Sequence, residues 1–333
     1  MGKQNKETEC EFSPSLLEWY NVHKRDLPWR RADISPYEVL VSEIMLQQTQ
    51  VSRVKIKLAE FIEKFPSIQE LANANKADII HAWQGMGYNR RALNLQKFAQ
   101  EVVKKFQGEI PSNPETLRTL PGIGPYCAGS IASFAFNLPE PAIDVNVRRV
   151  FKRVFEGVDK ALPGKAQEER ALHMLVKEHI PQNKSADFHN ALMDFASCTC
   201  TKKSPSCQSC PMQRICSFYP LFQEKGAAAL HKPQKKQEQG RQEHGKHIPN
   251  RIYRGRIVEF IRSQTRTKHK FSDFAQRIKK DFGQQTLTNK RSDDNKESEE
   301  TWLINLCTKL QAEGFISFEH NSQNNTITLS LSS

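Results

Sequence analysis

Between Ser15 and Phe222 apolar residues recur every three or four positions, the spacing that lays one apolar stripe along a helix. "SPYEVLVSEIMLQQTQVSRVKIKLAEFIEKF" predicts one long helix, broken before Pro66. Further helices are predicted over Lys76–Gln84, Arg90–Phe106, Asn113–Leu120, Tyr126–Phe136, Val145–Phe155, Gly164–His179 and Ser185–Cys198. Gly, Pro and Asn punctuation such as "GMGYN", "PGIGP" and "NLPEP" separates them. Strand alternation is absent here, so residues 15–222 read as an all-α domain of short helices. Residues 223–250 read as a linker, because "HKPQKKQEQGRQEHGKHIPN" is polar and without period. Beyond it, "RIYRGRIVEFIRSQ", "KFSDFAQRIKKDF" and "ETWLINLCTKLQAEGF" predict three helices, with a polar loop, "LTNKRSDDNKESEE", before the third. "FISFEHNSQNNTITLSLS" then alternates around an Asn-rich turn, as a β-hairpin does. Three helices and a hairpin make residues 251–333 a small winged-helix-like α+β module. There Arg251, Arg254, Arg256 and Arg262 are compatible with DNA contact, protein contact or a purely stabilising role.

A chain of 333 residues can bury a core in each of two domains, and its formal charge of +12 suggests a polyanionic partner, nucleic acid first. No run of about 18 apolar residues occurs to span a membrane, and the N-terminal stretch has no apolar core of signal-peptide length. "MGKQNK" lacks the Ser or Thr of a myristoylation signal. The expected site of action is a reducing compartment, the bacterial cytoplasm beside the nucleoid, where clustered cysteines point to metal rather than disulfides.

Four of the eight cysteines, Cys200, Cys207, Cys210 and Cys216, fall within "CTKKSPSCQSCPMQRIC" at intervals of six, two and five residues. Their thiolates could ligate zinc or an iron–sulfur cluster. Zinc ribbons use two close pairs, whereas one tight pair flanked by single cysteines suits the larger cubane better. Unligated burial fits poorly, since the intervening residues are polar. Cys10, Cys127, Cys198 and Cys307 lie outside this spacing. Lys202 and Lys203 in the first interval can contact phosphate, a contact that positions without reading sequence.

In "LPGIGPYCAGSI" Gly122 and Gly124 make a tight turn opening directly into a helix, whose first N–H groups can face an anion. With the preceding helix this is helix–hairpin–helix, although the turn alone could be a plain connection. Taken together, "SEIMLQQTQV", "GMGYNRRALNL", "LPGIGPYCAGSI", "AIDVNVRRV" and the cysteine spacing resemble the helix–hairpin–helix DNA glycosylases that carry an iron–sulfur cluster. Within them the chain looks most like MutY-type adenine glycosylases, over residues 15–222.

The resemblance implies a mainly α fold of two helical subdomains with a cluster loop, one 4Fe-4S cluster on the four cysteines, and no membrane partner. It implies a monomer acting on double-stranded DNA that contains a mismatch or oxidised guanine, and removal of adenine opposite guanine or 8-oxoguanine. Cleaving that bond needs a proton for the leaving base and negative charge near an oxocarbenium-like sugar. Glu43, on an apolar helix, matches the acid, since desolvation helps a carboxyl hold its proton; a solvent-facing Glu is the plainer reading. Asp144 reads locally as a helix cap and matches the family's catalytic aspartate, with Asn146 matching a polar residue two positions on. A strand-cleaving relative carries a lysine two residues after "LPGIG"; Pro125 and Tyr126 stand here, which implies a monofunctional enzyme. Tyr126 also occurs in thymine-mismatch relatives, whereas Glu43 and "LQQTQV" point to adenine. Gln48 and Tyr88 match the residues that enter the duplex and support the flipped-out base. Arg25, Trp29 and Arg30 match the mouth of the adenine pocket, where Trp29 alone would read as core. Asn190 stands where some relatives have Glu or Gln. Residues 251–333 are too few and too helical for the Nudix-like domain typical of the family. A thymine or uracil glycosylase using Asp144 alone, and a non-catalytic DNA-structure sensor, are the alternatives.

Overall fold

The computed structural model describes residues 2–231, 238–283 and 297–332, and the chain forms two compact units. The first, Met1–Leu58 with Phe98–Gln234, is helical throughout its described secondary structure. It begins with α1 (Gly2–His23) and α2 (Pro36–Leu46), continues into α3 (Val51–Lys64), and later holds most of the chain between residues 98 and 231. Phe12 and Leu16 of α1 are fully buried, so the core starts before Ser15. Ser35 and Glu38 form a reciprocal capping box on α2, with Pro36 at the first helical position. The single helix predicted over 35–65 is two helices, because Gln48 adopts φ 57°, a left-handed backbone that a right-handed helix cannot continue.

The second unit, Ala59–Lys97 with Lys235–Ser333, takes the rest of α3, α4 (Ile68–Asn73), α5 (Lys76–Ala82) and the first half of α6 (Arg90–Phe106). The second half of α6 returns to the first unit. There α7 (Pro114–Arg118), α8 (Pro125–Phe136), α9 (Val145–Glu156), α10 (Ala166–Glu178), α11 (Ser185–Cys198) and α12 (Tyr219–Lys225) follow. Its core packs Phe12 and Leu16 against Val147, Val150 and Phe151 of α9 and Phe188, Leu192 and Phe195 of α11.

Past residue 238 lie β1 (Gly240–Glu243), β2 (Lys246–Pro249), α13 (Asn250–Arg262), β3 (Lys268–Lys270), α14 (Phe271–Ile278), α15 (Glu299–Ala312), β4 (Ile316–Asn321) and β5 (Thr326–Leu331). The predicted helices and hairpin are present, and the short β3 joins them in an antiparallel sheet of order β3-β5-β4. Most of the predicted polar loop before α15 lies outside the described residues. The linker reading of 223–250 needs correcting over 240–249, which form an antiparallel hairpin closed at His244 and Gly245, both at positive φ. Periodicity missed it because each strand is four residues long and polar.

This module shares its core with the helical segment of its own unit. Ile80 of α5 and Leu93 of α6 are buried in one cluster with Tyr253, Ile257, Phe274, Trp302 and Phe318. The arginines considered for DNA contact are paired: Arg254 with Glu313, Arg256 with Glu243 in a two-pronged contact, Arg262 with Glu259 and the Ile80 carbonyl. Three of them stabilise the module; Arg251 pairs with the exposed Glu238. Among the described residues no helix is long and apolar enough to cross a membrane.

Candidate active site and nucleic-acid interface

The hairpin is built as its sequence suggests. Asn113 caps α7 by accepting from the Thr116 N–H (2.9 Å), and Leu120 and Ile123 anchor the turn in the core. Gly122 takes φ 79°, which favours glycine. Gly124 precedes α8 with no side-chain cap, and a Cβ there would meet nothing within 4 Å, so backbone at this helix start is open to an approaching chain.

A buried acid, Glu43, and a half-buried one, Asp144, lie within electrostatic reach of each other beside that helix. Apolar α2 buries Glu43 to 6% exposure, and α8 offers Tyr126, whose hydroxyl donates to Glu43 Oε2 at 3.0 Å. Burial pushes the Glu43 carboxyl up from 4.5 to about 7, and the nearby Asp144 charge adds to the rise. The Ser130 and Tyr126 hydroxyls and Arg30 pull it back in part. Tyr126 is itself raised well above 10 by burial and by both carboxylates, so it remains a donor.

Asp144 caps α9. Its Oδ1 accepts from the N–H groups of Asn146 and Val147 at 2.8 Å each, and its Oδ2 from Asn146 Nδ2 at 2.6 Å. Three donors and a helix N-terminus converge on this carboxylate. The polar chain goes on: Arg149 donates to Asn146 Oδ1 (3.0 Å) and to the carbonyls of Cys200 and Ala196. The segment delivering Asp144 is pinned on two sides. A Cβ at Gly129 of α8 would lie 2.1 Å from the Pro141 carbonyl oxygen, and the Ala142 N–H donates to His189 Nε2 of α11 at 3.1 Å.

Arg25 and Arg30 converge on Asp194 of α11. Arg30 grips it with both terminal nitrogens (2.7 and 2.9 Å), and Arg25 adds Nε and its backbone N–H (2.6 and 3.0 Å). Burial acts to raise the Asp194 carboxyl, yet Arg30 and Arg25 hold it below its ordinary value. This clamp fixes the turn Pro28–Arg30 that carries half-buried Trp29, and Asn190 lies half-buried one turn before Asp194. Asp194 escaped the sequence reading; its only trace there is a lone charge within the apolar "ALMDFA".

Gln48 and Tyr88 are both exposed and both at positive φ, 57° and 46°. Non-glycine residues held there cost energy, which marks candidate functional loops. Tyr88 belongs to the second unit. Arg91, in the first turn of α6, donates to the carbonyls of Met86 and Gly87 and lies over the rings of Trp83 and Tyr88 (5.4 and 5.8 Å).

The four clustered cysteines are partly buried, and Cys200, Cys210 and Cys216 pack against the first unit's core, which includes Met212 and Ile215. Burial pushes the thiols of Cys210 and Cys216 up to about 12 and about 11, with Cys200 and Cys207 adding to both rises. Arg153 donates to Cys200 Sγ (3.3 Å) and to the Thr201 carbonyl (2.8 Å). Among the described residues no three His, Cys, Asp or Glu are gathered to hold a metal ion. The donor set itself, four thiols in mutual electrostatic reach beside a buried guanidinium, fits a thiolate-bound cluster. Lys202 and Lys203 are exposed on the same loop.

The family model described as "HhH-GPD superfamily base excision DNA repair protein" matches residues 41–178. An adenine DNA glycosylase of Mycolicibacterium smegmatis is 41% identical over 197 residues, covering 59% of this chain and 66% of that protein. This chain thus spans just under two thirds of that relative. A thymine/uracil-DNA glycosylase of Pyrobaculum aerophilum is 35% identical over 214 residues, 63% of this chain and 92% of that one. The solved structure of a thermostable thymine-DNA glycosylase superposes with a TM-score of 0.59 at 28% identity, over 65% of this chain and 98% of the other.

Proposed function

The chain belongs to the HhH-GPD superfamily of base excision DNA repair proteins, and from that premise we propose that it is a monofunctional adenine DNA glycosylase. Its substrate is duplex DNA with adenine opposite guanine or 8-oxoguanine. The observation that carries this reading is Glu43, a carboxyl whose burial raises its affinity for a proton to near neutrality against the opposing pull of the Tyr126 hydroxyl.

Adenine leaves poorly as an anion, so Glu43 donates its proton to a ring nitrogen as the C1′–N9 bond breaks and its electron pair goes to the base. Asp144, aimed by Asn146 and the start of α9, faces the positive charge left on the sugar. Water adds to C1′ and gives a proton to the Glu43 carboxylate, so the products are free adenine and an abasic site. The hairpin at Gly122 and Gly124 and the lysines Lys202 and Lys203 bind DNA phosphate, while Gln48 and Tyr88 enter the stack opened by the flipped base. Arg25, Trp29, Arg30 and Asn190 shape the base pocket. Pro125 and Tyr126 leave no amine at the position where strand-cleaving relatives place one.

Cys200, Cys207, Cys210 and Cys216 are proposed to hold one 4Fe-4S cluster, which when bound cross-links the loop and braces its two lysines. Purified protein should then carry about four irons; stoichiometric zinc without iron would reject that assignment. The protein acts as a monomer on chromosomal DNA in a reducing compartment such as the bacterial cytoplasm.

The near full-length match to a thymine/uracil glycosylase favours a second reading, in which Asp144 acts alone on a pyrimidine that departs as a stabilised anion. Single-turnover excision on A:8-oxoG, A:G, T:G and U:G duplexes, with alkali to reveal abasic sites, separates the two. Excision confined to T:G and U:G would overturn the adenine assignment.

A further inference from the structure

The second unit joins two segments, Ala59–Lys97 and Lys235–Ser333, that residues 98–234 separate in the sequence, and the join lies near the Tyr88 loop. The helix before that loop and the helix after it each give a residue to the C-terminal module's core, Ile80 from α5 and Leu93 from α6. Polar contacts repeat the connection. Gln84 Nε2 donates to Glu259 Oε2 of α13 at 3.1 Å, and Arg262 at the end of α13 donates to the Ile80 carbonyl. The side chain of Arg262 is 3% exposed, so this is a built contact rather than a surface pair.

The Arg251 guanidinium lies within electrostatic reach of the Tyr88 phenol, and its other partner is Glu238 at 2.7 Å. Both members of that ion pair are about half exposed, at 47% and 53%, so water screens it and a phosphate can displace the carboxylate. Arg90, two residues beyond Tyr88, is exposed as well. Tyr88, Arg90 and Arg251 are thus exposed on one unit, and an exposed aromatic ring together with exposed guanidinium groups suits nucleic acid.

We infer that the C-terminal module is part of the DNA-opening apparatus: α13 braces the Tyr88 loop and supplies Arg251 as a phosphate contact beside it. This rests on the reading of Tyr88 as the residue that enters the duplex, and it assigns the module a partner, the DNA strand next to the opened pair. Arg254 and Arg256, tied inside the module, take no part.

The test is equilibrium binding of the full-length protein to a matched and an A:G duplex across a salt series, by fluorescence anisotropy. Arg251→Ala should weaken both complexes about threefold to tenfold and make the salt slope shallower by about one. Lys309→Ala, which removes an exposed charge on α15, should change neither. On the A:G duplex with 2-aminopurine beside the mismatch, Arg251→Ala should reduce unstacking, and Tyr88→Ser should remove both the unstacking and its dependence on Arg251. Unchanged affinity and slope in Arg251→Ala would overturn the inference, and so would an equal loss in Lys309→Ala, which would mean diffuse attraction. These readouts need no excision. A protein that removes no adenine but shows the Arg251 effect would refute the proposed activity and leave the contact standing.

Discussion

Glu43→Gln should abolish adenine excision and at the same time stabilise the folded protein, by an amount that grows with pH. The glutamine keeps the size of the side chain and an oxygen for the Tyr126 hydroxyl, but it has no transferable proton. In the folded protein the Glu43 carboxyl titrates at about 7, against 4.5 when exposed. Between those values the folded protein holds a proton that the unfolded chain has lost, so unfolding stability falls as pH rises through the window. At about 1.4 kcal/mol per pH unit, the raised value costs the wild type about 3.3 kcal/mol near pH 8 and about 0.8 kcal/mol near pH 5. The substituted amide never ionises and escapes this cost. Relative to wild type, the variant should therefore gain about 2.5 kcal/mol more near pH 8 than near pH 5. Urea unfolding followed by circular dichroism at the two pH values measures the difference, and single-turnover excision on an A:G duplex measures the chemistry. Wild-type excision should fall above about pH 7 as the same proton is lost. A difference between the two proteins that does not change with pH would show that Glu43 is not a buried titrating acid. Full excision by the variant would remove it from the mechanism.

Three further outcomes follow from the positioning groups. Asp194→Asn leaves Arg25 and Arg30 facing an amide, and breaking this partly buried pair should cost up to about 3 kcal/mol at neutral pH in thermal unfolding. The contribution lost is one the wild type itself loses as acid protonates Asp194 below its lowered value, so the two proteins should converge in acid. Gly129→Ala forces a methyl group to within 2.1 Å of the Pro141 carbonyl; the loop must shift, lowering stability by about 1–3 kcal/mol and excision far more than duplex affinity, as a displaced Asp144 requires. Lys202→Ala with Lys203→Ala should weaken all duplexes alike and make the salt slope shallower by about two, without changing the base removed.

The parts of the fold legible in the sequence are those whose signal is local. The spans of α6 and α11 follow from periodicity and from the Gly, Pro or polar residues at their ends. The break at Gln48 was not legible, because nothing in "MLQQTQV" marks a left-handed residue and the apolar spacing runs on across it. The hairpin at 240–249 was hidden for the opposite reason. Its strands bury little apolar surface and are held by charge, through Glu243 with Arg256 and the His244 N–H with Asp281. Such partners lie 13 and 37 residues away, beyond any periodic window.

The candidate site divides along the same line. Glu43, Asp144 and the hairpin glycines were legible because each sits in a short motif whose chemistry can be stated residue by residue. What arranges them was not: Asp194 meets Arg25 across 169 residues, and His189 meets Ala142 across 47. These are buried polar groups, and a buried polar group reveals its role only through its partner. Arg25 and Arg30 show how far the partner can change a reading. Read alone they are free cations on a pocket rim, but with four hydrogen bonds on one carboxylate they hold a turn in place. The same reasoning separates the four arginines of α13. Only in the Arg251 pair are both members about half exposed, so that a phosphate can replace the carboxylate.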